Sequence, residues 1–259
     1  MIDPVPKKSL GQHWLNDPDS LQAMLEAAGV HADDTVLEIG PGLGTLTKLL
    51  VAQAETVIAV EFDEQLAAQL TSRVSADNLR IVRQDILSFD LTQLPAGYKV
   101  LANIPYYLTS NLVRVLSESP NPPSDMALLV QKEVAERIAA QPGDMSLLSV
   151  TAQFYWAVSL GREVPAELFT PPPKVDSQIV IMHHRRQPLF ENVQGKDFFR
   201  LVKAGFSQRR KTILNSLSGG LHLTKPEVAS FCQRAGIDPG RRAQTLSLQE
   251  WYALYRAAL

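Results

Sequence analysis

The chain has 259 residues, of which 45% are hydrophobic and 20% are charged, and it contains one cysteine. This composition is typical of a soluble globular protein and excludes a low-complexity disordered chain. A single cysteine excludes an intrachain disulfide framework. The N-terminal residues show no apolar stretch of signal-peptide length, and no apolar run is long enough to span a bilayer. We therefore expect a cytoplasmic protein that does not associate with membranes.

Charge is distributed unevenly along the chain. The formal net charge is only -2, but residues 183–259 carry a net charge of +8 and residues 1–182 carry -10. An acidic body with a basic C-terminal third indicates a region that meets a polyanion. A solvated helical surface is the alternative interpretation of such a charge pattern.

Short apolar runs that alternate with helical patterns organise the first part of the chain. Predicted strands lie at residues 35–39, 56–61, 79–82, 99–103, 125–131 and 178–183. Predicted helices lie at residues 45–52, 63–74, 133–140 and 146–156. This alternation is typical of βαβ units in a parallel sheet that is covered on both faces.

The pattern changes beyond residue 188. Three helices are predicted there, at residues 197–217, 225–235 and 248–258, with no strand between them. We therefore predict an α/β domain at residues 1–186 and a small all-α domain at residues 187–259.

A glycine-rich turn follows the first predicted strand. The segment reads Glu38-Ile-Gly-Pro-Gly-Leu-Gly-Thr and precedes a predicted helix. Glycine lets the backbone turn sharply and approach a ligand closely. Glu61 ends the next predicted strand, where a doubly wound nucleotide fold places a carboxylate for ribose hydroxyls. Together these features predict a site for an adenosine-containing cofactor.

The spacing within this turn discriminates between two cofactors. A dinucleotide fingerprint needs its third small residue at position 45, which is Thr45, whereas the glycine comes one position earlier, at Gly44. Pro41 also removes a backbone donor that could hold a pyrophosphate. Glu38 suits the α-amino group of a cationic ligand better than it suits a diphosphate. These departures favour S-adenosylmethionine over NAD.

The next two predicted strands are also followed by polar residues. Asp85 follows the third strand, where a carboxylate can accept from an adenine amino group or cap a helix. Asn103-Ile-Pro-Tyr-Tyr follows the fourth strand and places an amide, two carbonyls and an aromatic ring at the carboxyl edge of the sheet. Such folds bind ligands at this edge. A plain turn with a packing tyrosine is the alternative, but its place after the glycine turn, Glu61 and Asp85 favours a functional site.

Further motifs occur in a fixed order along the chain. The set comprises Lys8-Ser-Leu-Gly-Gln-His-Trp-Leu, Glu38-Ile-Gly-Pro-Gly-Leu-Gly, Glu61, Gln84-Asp85, Asn103-Ile-Pro-Tyr, Gln131-Lys-Glu-Val, Phe169-Thr-Pro-Pro-Pro-Lys-Val-Asp-Ser and Phe206-Ser-Gln-Arg-Arg-Lys-Thr. As an ordered set these segments resemble the ribosomal RNA adenine N6-dimethyltransferases of the bacterial kasugamycin-resistance type. The resemblance implies a Rossmann-like, S-adenosylmethionine-dependent methyltransferase domain followed by a small helical domain.

The resemblance also implies roles for individual residues. It assigns cofactor binding to His13, Leu15, Gly40, Glu61, Asp85 and Asn103, and Glu38 and Gly42 of the glycine turn complete the expected cofactor site. It assigns the catalytic turn to Asn103, Ile104, Pro105 and Tyr106, with Phe169 helping to sandwich the target base. His13 stands where the family has asparagine, which leaves the side-chain contact at this position open, whereas the backbone contact of Leu15 should persist.

The activity implied by the resemblance is methylation of RNA. The expected substrate is 16S rRNA within the immature 30S subunit, with two methylations on each of two adjacent adenines in a 3'-terminal hairpin loop. S-adenosylhomocysteine is the expected product. No metal is expected, because no His-Cys-carboxylate cluster with ligand spacing is visible in the sequence. We expect the protein to act as a monomer.

Basic residues are the candidates for RNA contacts. Arg209, Arg210 and Lys211 lie on a predicted helix, Arg241 and Arg242 lie in a predicted loop, and Lys7 and Lys8 lie near the expected cofactor site. Basic side chains position a phosphate backbone, and RNA shape supplies much of the selectivity.

Three other functions are compatible with parts of this pattern. A resistance dimethyltransferase acting on large-subunit RNA would share the fold, although the segment that begins at Phe206 favours the small-subunit type. A ribosome-assembly or transcription factor without turnover would not need the intact Asn103-Ile-Pro-Tyr turn. An NAD oxidoreductase is disfavoured by the glycine spacing.

Overall fold

A computed structural model of the protein describes residues 4–7, 10–104 and 108–258. Its strands are β1 (Trp14–Leu15), β2 (Thr35–Ile39), β3 (Thr56–Glu61), β4 (Leu79–Arg83), β5 (Lys99–Asn103), β6 (Asp125–Gln131), β7 (Trp156–Val164), β8 (Phe169–Thr170) and β9 (Ser177–His184). Its helices are α1 (Pro18–Ala28), α2 (Thr45–Gln53), α3 (Glu64–Arg73), α4 (Thr109–Glu118), α5 (Lys132–Ile138), α6 (Leu147–Tyr155), α7 (Gly195–Phe206), α8 (Ile213–Leu221), α9 (Lys225–Arg234) and α10 (Leu248–Ala258). None of these described helices has both the length and the apolar character needed to cross a membrane.

A seven-stranded sheet carries the order β4-β3-β2-β5-β6-β9-β7. Strands β2 to β6 pair in parallel, and β9 runs antiparallel to β6. A separate two-stranded sheet pairs β1 with β8. Because the parallel strands all end at one edge, the loops that follow β2, β3, β4 and β5 meet there. The predicted α/β class is thereby confirmed.

The core beside this sheet is built from the periodic apolar faces of the first helices. Leu25 of α1 and Leu50 of α2 pack with Val36 of β2 and Leu101 of β5 in one buried cluster. Helix α1 begins where the Asp17 carboxylate accepts from the Ser20 N–H at 2.9 Å. This cap and the buried face of α1 fix the chain that precedes the helix against the sheet.

The chain divides into two compact units. The first comprises Met1–Glu136 and Ala157–His184, and the second comprises Arg137–Trp156 and Arg185–Leu259. The predicted domain boundary between residues 186 and 187 lies close to residue 185, where the chain last passes from the first unit to the second. Residues 137–156, however, cluster with the C-terminal helices rather than with the α/β body. The cause is packing: Val150 shares a buried cluster with Phe198, and the rings of Phe154 and Phe198 stack with centroids 4.9 Å apart.

The strand predictions agree closely with the structure, and one helix prediction is wrong. The helix predicted over residues 197–217 is two helices, α7 and α8. After α7 the Ser207 hydroxyl donates to the Ala204 carbonyl at 2.7 Å. Thr212 then caps α8, accepting from the Asn215 N–H. A Cβ at Gly220 would lie 2.7 Å from that of Ala204, so the two helices approach too closely there for any larger residue.

Strand β7 and helices α1 and α4 were not predicted from the sequence. Strand β7 lies at the edge of the sheet, and most of its residues are at least partly exposed. An edge strand with solvent on much of its surface lacks the continuous apolar run of a buried parallel strand.

Candidate active site

A cavity opens at the carboxyl edge of the parallel strands. It is lined by residues that directly follow β2, β3, β4 and β5, and by the N-terminal segment (residues 10–15). Of the predicted site residues, the cavity brings together His13, Leu15, Glu38, Gly40, Gly42, Glu61, Asp85, Asn103 and Ile104. Pro105, Tyr106 and Lys8 lie outside the described residues.

The glycine turn depends on glycine at Gly42. This residue has φ 56°, a conformation that side chains disfavour. A Cβ there would also lie 3.1 Å from Cδ1 of Trp14. Its N–H donates to Oε2 of Glu61 at 3.1 Å. The turn therefore packs closely under the N-terminal segment and points a backbone donor at the acidic end of β3.

Glu61 is held in place by backbone donors. The residue is 6% exposed, and its Oε1 accepts from the N–H of Asp63 at 2.8 Å. Burial raises the pKa of Glu61, and the N–H groups of Asp63 and Gly42 oppose this shift. Each carboxylate oxygen has a second lone pair, so the group remains able to accept from ligand hydroxyls.

Glu38 is the most deeply buried acidic group of the cavity. It is 1% exposed, and its Oε2 has no hydrogen-bond partner among the described residues. Burial raises the pKa of Glu38 to about 8, and the neighbouring charge of Glu61 adds to the effect. A buried carboxyl oxygen without a hydrogen-bond partner is costly. A cationic ligand in the cavity would remove that cost.

Asp85 caps a short helix and also lines the cavity, and its role toward an adenine amino group stays a prediction. It lines the cavity after β4, and its Oδ1 accepts from the N–H of Leu87 at 2.9 Å at the start of a short 3-10 helix. The side chain is exposed. One oxygen therefore fixes the loop, and the other remains available to a ligand.

Asn103 ends β5 and faces the N-terminal segment. Its Nδ2 donates to the backbone carbonyl of His13 at 3.0 Å. Ile104 is 2% exposed, and its N–H donates to the Leu129 carbonyl at 3.2 Å. These two bonds hold the beginning of the predicted catalytic turn at the edge of the sheet.

Phe169 lies in the apolar core of the protein. It is 4% exposed and belongs to the buried cluster that contains Leu15, its partner in the two-stranded sheet. It is not among the residues that line the cavity. A role in holding a base therefore stays a prediction, and in this structure Phe169 supports the N-terminal segment.

Sequence reasoning missed two contributors beside Glu61. Phe62 is 61% exposed and lines the cavity, which is unusual for a large apolar side chain. Asp63 caps α3 and forms an ion pair with Lys7, with 2.7 Å between Oδ2 and Nζ. Burial of Asp63 works against ionisation, but the bonds from Lys7 and from the backbone outweigh it and lower the pKa. The position of Phe62 and Asp63 directly after Glu61 was the sequence feature that could have identified them.

The predicted RNA-binding residues fall into two groups. Arg209, Arg210 and Lys211 lie in the exposed turn between α7 and α8 rather than on a helix, which corrects that prediction. Arg242 is also exposed. Arg241 instead forms an ion pair with Glu250 and donates to the Thr245 carbonyl at 2.6 Å. Within the described part of the chain, no cluster of three or more His, Cys, Asp or Glu side chains could hold a metal ion.

The fold resembles those of two solved transferases. A dimethyladenosine transferase from Plasmodium falciparum superposes with a TM-score of 0.77 at 26% identity, covering 93% of this chain and 95% of that one. The 23S rRNA methyltransferase ErmE superposes with a TM-score of 0.75 at 28% identity, covering 95% of this chain and 99% of that one. The predicted Rossmann-like methyltransferase fold is confirmed.

Relatives with higher sequence identity carry one name. The ribosomal RNA small subunit methyltransferase A of Dehalococcoides mccartyi (strain CBDB1) is 45% identical over 252 residues, covering 96% of this chain and 87% of that protein. The protein of the same name from Moorella thermoacetica is 41% identical over 266 residues, covering 97% of this chain and 92% of that protein. A family model described as ribosomal RNA adenine dimethylase matches residues 6–258. The chain therefore belongs to the ribosomal RNA adenine dimethylase family.

Proposed function

We propose that this protein transfers methyl groups from S-adenosylmethionine to the exocyclic N6 of two adjacent adenines in a 3'-terminal hairpin loop of 16S rRNA. The products are N6-dimethyladenines and S-adenosylhomocysteine. The protein acts as a cytoplasmic monomer on the immature 30S subunit during its biogenesis. One observation carries the proposal: the carboxylates Glu38, Glu61 and Asp85 share a cavity with Asn103.

The cavity residues fit S-adenosylmethionine. Glu38 offers a buried oxygen without a partner for the α-ammonium group, and Glu61 offers carboxylate oxygens for the ribose hydroxyls. The exposed ring of Phe62 and the carboxylate of Asp85 suit the adenine base. When bound, this cofactor supplies an electrophilic methyl group. No metal is needed, because the reaction requires no Lewis acid or activated water.

Asn103 would make the target amine of adenine a better nucleophile. The lone pair of an adenine amine is delocalised into the ring. The oxygen of the Asn103 side chain and a backbone carbonyl near Ile104 would accept the two hydrogens of this amine and favour a pyramidal nitrogen. These dipoles also meet the positive charge that develops on nitrogen. Tyr106 and Phe169 complete the proposal as the aromatic residues that hold the extruded base.

RNA binding is assigned to the exposed basic turn between α7 and α8. Arg209, Arg210 and Lys211 are exposed and form no ion pair among the described residues, so their charges are available to phosphates. Arg242 joins this group, with Lys7 and Lys8 as contacts nearer the cofactor site. Arg241 and Lys7 are weaker members, because Glu250 and Asp63 already pair with them.

The test compares two RNA substrates. The protein is incubated with methyl-labelled S-adenosylmethionine and either immature small subunits or large-subunit RNA, and the labelled nucleosides are identified by mass spectrometry. We expect N6-dimethyladenine in the small-subunit RNA alone. Label confined to large-subunit RNA would favour the activity named for ErmE, which resembles this chain in fold. Cofactor binding without label in either RNA would favour an assembly factor.

A further inference from the structure

The two-stranded sheet joins the N-terminal segment to the chain around Phe169. Trp14 pairs with Thr170, and Leu15 pairs with Phe169, in antiparallel register. The next residues in this register are His13 and Pro171. Proline has no N–H, so a backbone ladder cannot continue through it as a donor. The Pro171 carbonyl can still accept a hydrogen bond from a partner on the facing segment.

The side chain of His13 supplies this partner. Its Nδ1 lies 2.7 Å from the carbonyl oxygen of Pro171. A carbonyl can only accept, so this ring nitrogen carries the hydrogen and donates. The bond attaches the N-terminal segment, which lines the cavity, to the loop after Phe169.

The backbone of the same residue orients the amide of Asn103. The His13 carbonyl accepts from Asn103 Nδ2 at 3.0 Å. Two acceptor oxygens would repel each other, so only the nitrogen of the amide can face this carbonyl. The amide oxygen of Asn103 is thereby directed away from His13 and stays available as an acceptor. It has no hydrogen bond to another described residue.

We propose that His13 is a positioning residue for methyl transfer. Its ring anchors the N-terminal segment to Pro171, and this anchor holds the His13 carbonyl where it orients the Asn103 amide toward the target amine. The inference rests on the proposed function, since it assigns the acceptor role to the Asn103 oxygen. It also assigns to the His13 side chain a protein contact rather than a cofactor contact.

The first test separates these two roles with a matched pair of variants. His13→Phe keeps a ring but removes the donor. His13→Asn instead places an amide nitrogen two bonds from Cβ, as Nδ1 is in histidine. Exposed His31, on the loop before β2, gives the control His31→Phe. At saturating cofactor, His13→Phe should lower the single-turnover methylation rate about fivefold to tenfold, as expected for one lost hydrogen bond. His13→Asn should recover most of the rate, and the cofactor Kd should change less than about twofold in both, since no cofactor bond is removed.

Two outcomes of this first test would overturn the inference. Unchanged single-turnover rates with a raised cofactor Kd would make the His13 side chain a cofactor ligand. Equal losses in His13→Phe and His13→Asn would show that the donor is irrelevant.

The second test does not depend on turnover. The side-chain amide resonances of Asn103, assigned by their loss in Asn103→Ala, should shift in His13→Phe and stay near their parent positions in His13→Asn and His31→Phe. If the parent protein fails to methylate small-subunit RNA, the proposed function fails, and these resonances still decide whether His13 orients Asn103. Unshifted resonances in folded His13→Phe would refute the inference by themselves.

Discussion

Replacing Glu38 with glutamine tests the electrostatics of the cavity most directly. Glu38 is 1% exposed, and burial raises its pKa to about 8. In the unfolded chain the same group has an ordinary pKa near 4.5. Glutamine has nearly the same shape but cannot ionise, so Glu38→Gln removes the pH dependence that this carboxyl confers on stability.

The sign and size of the effect follow from the two pKa values. Because the folded pKa is raised, the stability that the neutral carboxyl allows is fully present below pH 4.5 and is lost as the pH rises toward about 8. One pKa unit corresponds to about 1.4 kcal/mol. Between pH 5 and pH 7, Glu38→Gln should therefore gain about 2–3 kcal/mol of unfolding free energy relative to the parent.

The assay is urea unfolding of the cofactor-free proteins at pH 5 and pH 7, followed by circular dichroism. Exposed Glu64 provides the control, since Glu64→Gln changes a carboxylate whose side chain is 72% exposed and should show no comparable gain. Calorimetry should show the opposite effect on S-adenosylmethionine, with binding to Glu38→Gln weaker by about 1.5–3 kcal/mol after loss of a charged partner. If the stability difference between Glu38→Gln and the parent were the same at both pH values, the raised pKa of Glu38 would be refuted.

Three further predictions address the cofactor, the chemistry and the RNA. Glu61→Ala should weaken S-adenosylmethionine binding by about 1.5–3 kcal/mol through lost charged hydrogen bonds, and an unchanged calorimetric affinity in the folded variant would contradict its role. Asn103→Ala should abolish most turnover while the protein stays folded, because it removes an interaction that strengthens in the transition state; a parent-like single-turnover rate at saturating cofactor would exclude this. Neutralising Arg209, Arg210 and Lys211 together should weaken subunit binding and flatten its dependence on salt, because fewer counterions are released. Equal slopes of log affinity against log salt would remove this turn from the interface.

The strands of the sheet and the carboxylates at its carboxyl edge could be predicted from the sequence. Strands β2, β3, β5 and β6 have the predicted bounds, because buried parallel strands are continuous apolar runs that end at polar or turn-forming residues. The order of strands and glycine turn then places Glu38, Glu61 and Asp85 at one edge by topology alone. Such features depend on neighbours in the chain, which a sequence displays directly.

Features that depend on residues far apart in the chain could not be predicted from the sequence. Arg241 forms an ion pair with Glu250. Helix α8 packs closely on Ala204 of α7 at the turn between the two helices. Phe169 pairs with Leu15 in the two-stranded sheet. The His13 ring meets Pro171, 158 positions away, and its carbonyl meets Asn103, 90 positions away. Periodicity describes the environment of each residue only through its near neighbours, whereas these contacts exist because folding closes long loops around a common core. The acidic residues of the site could therefore be predicted from the sequence, whereas the orientation of the Asn103 amide depends on the fold.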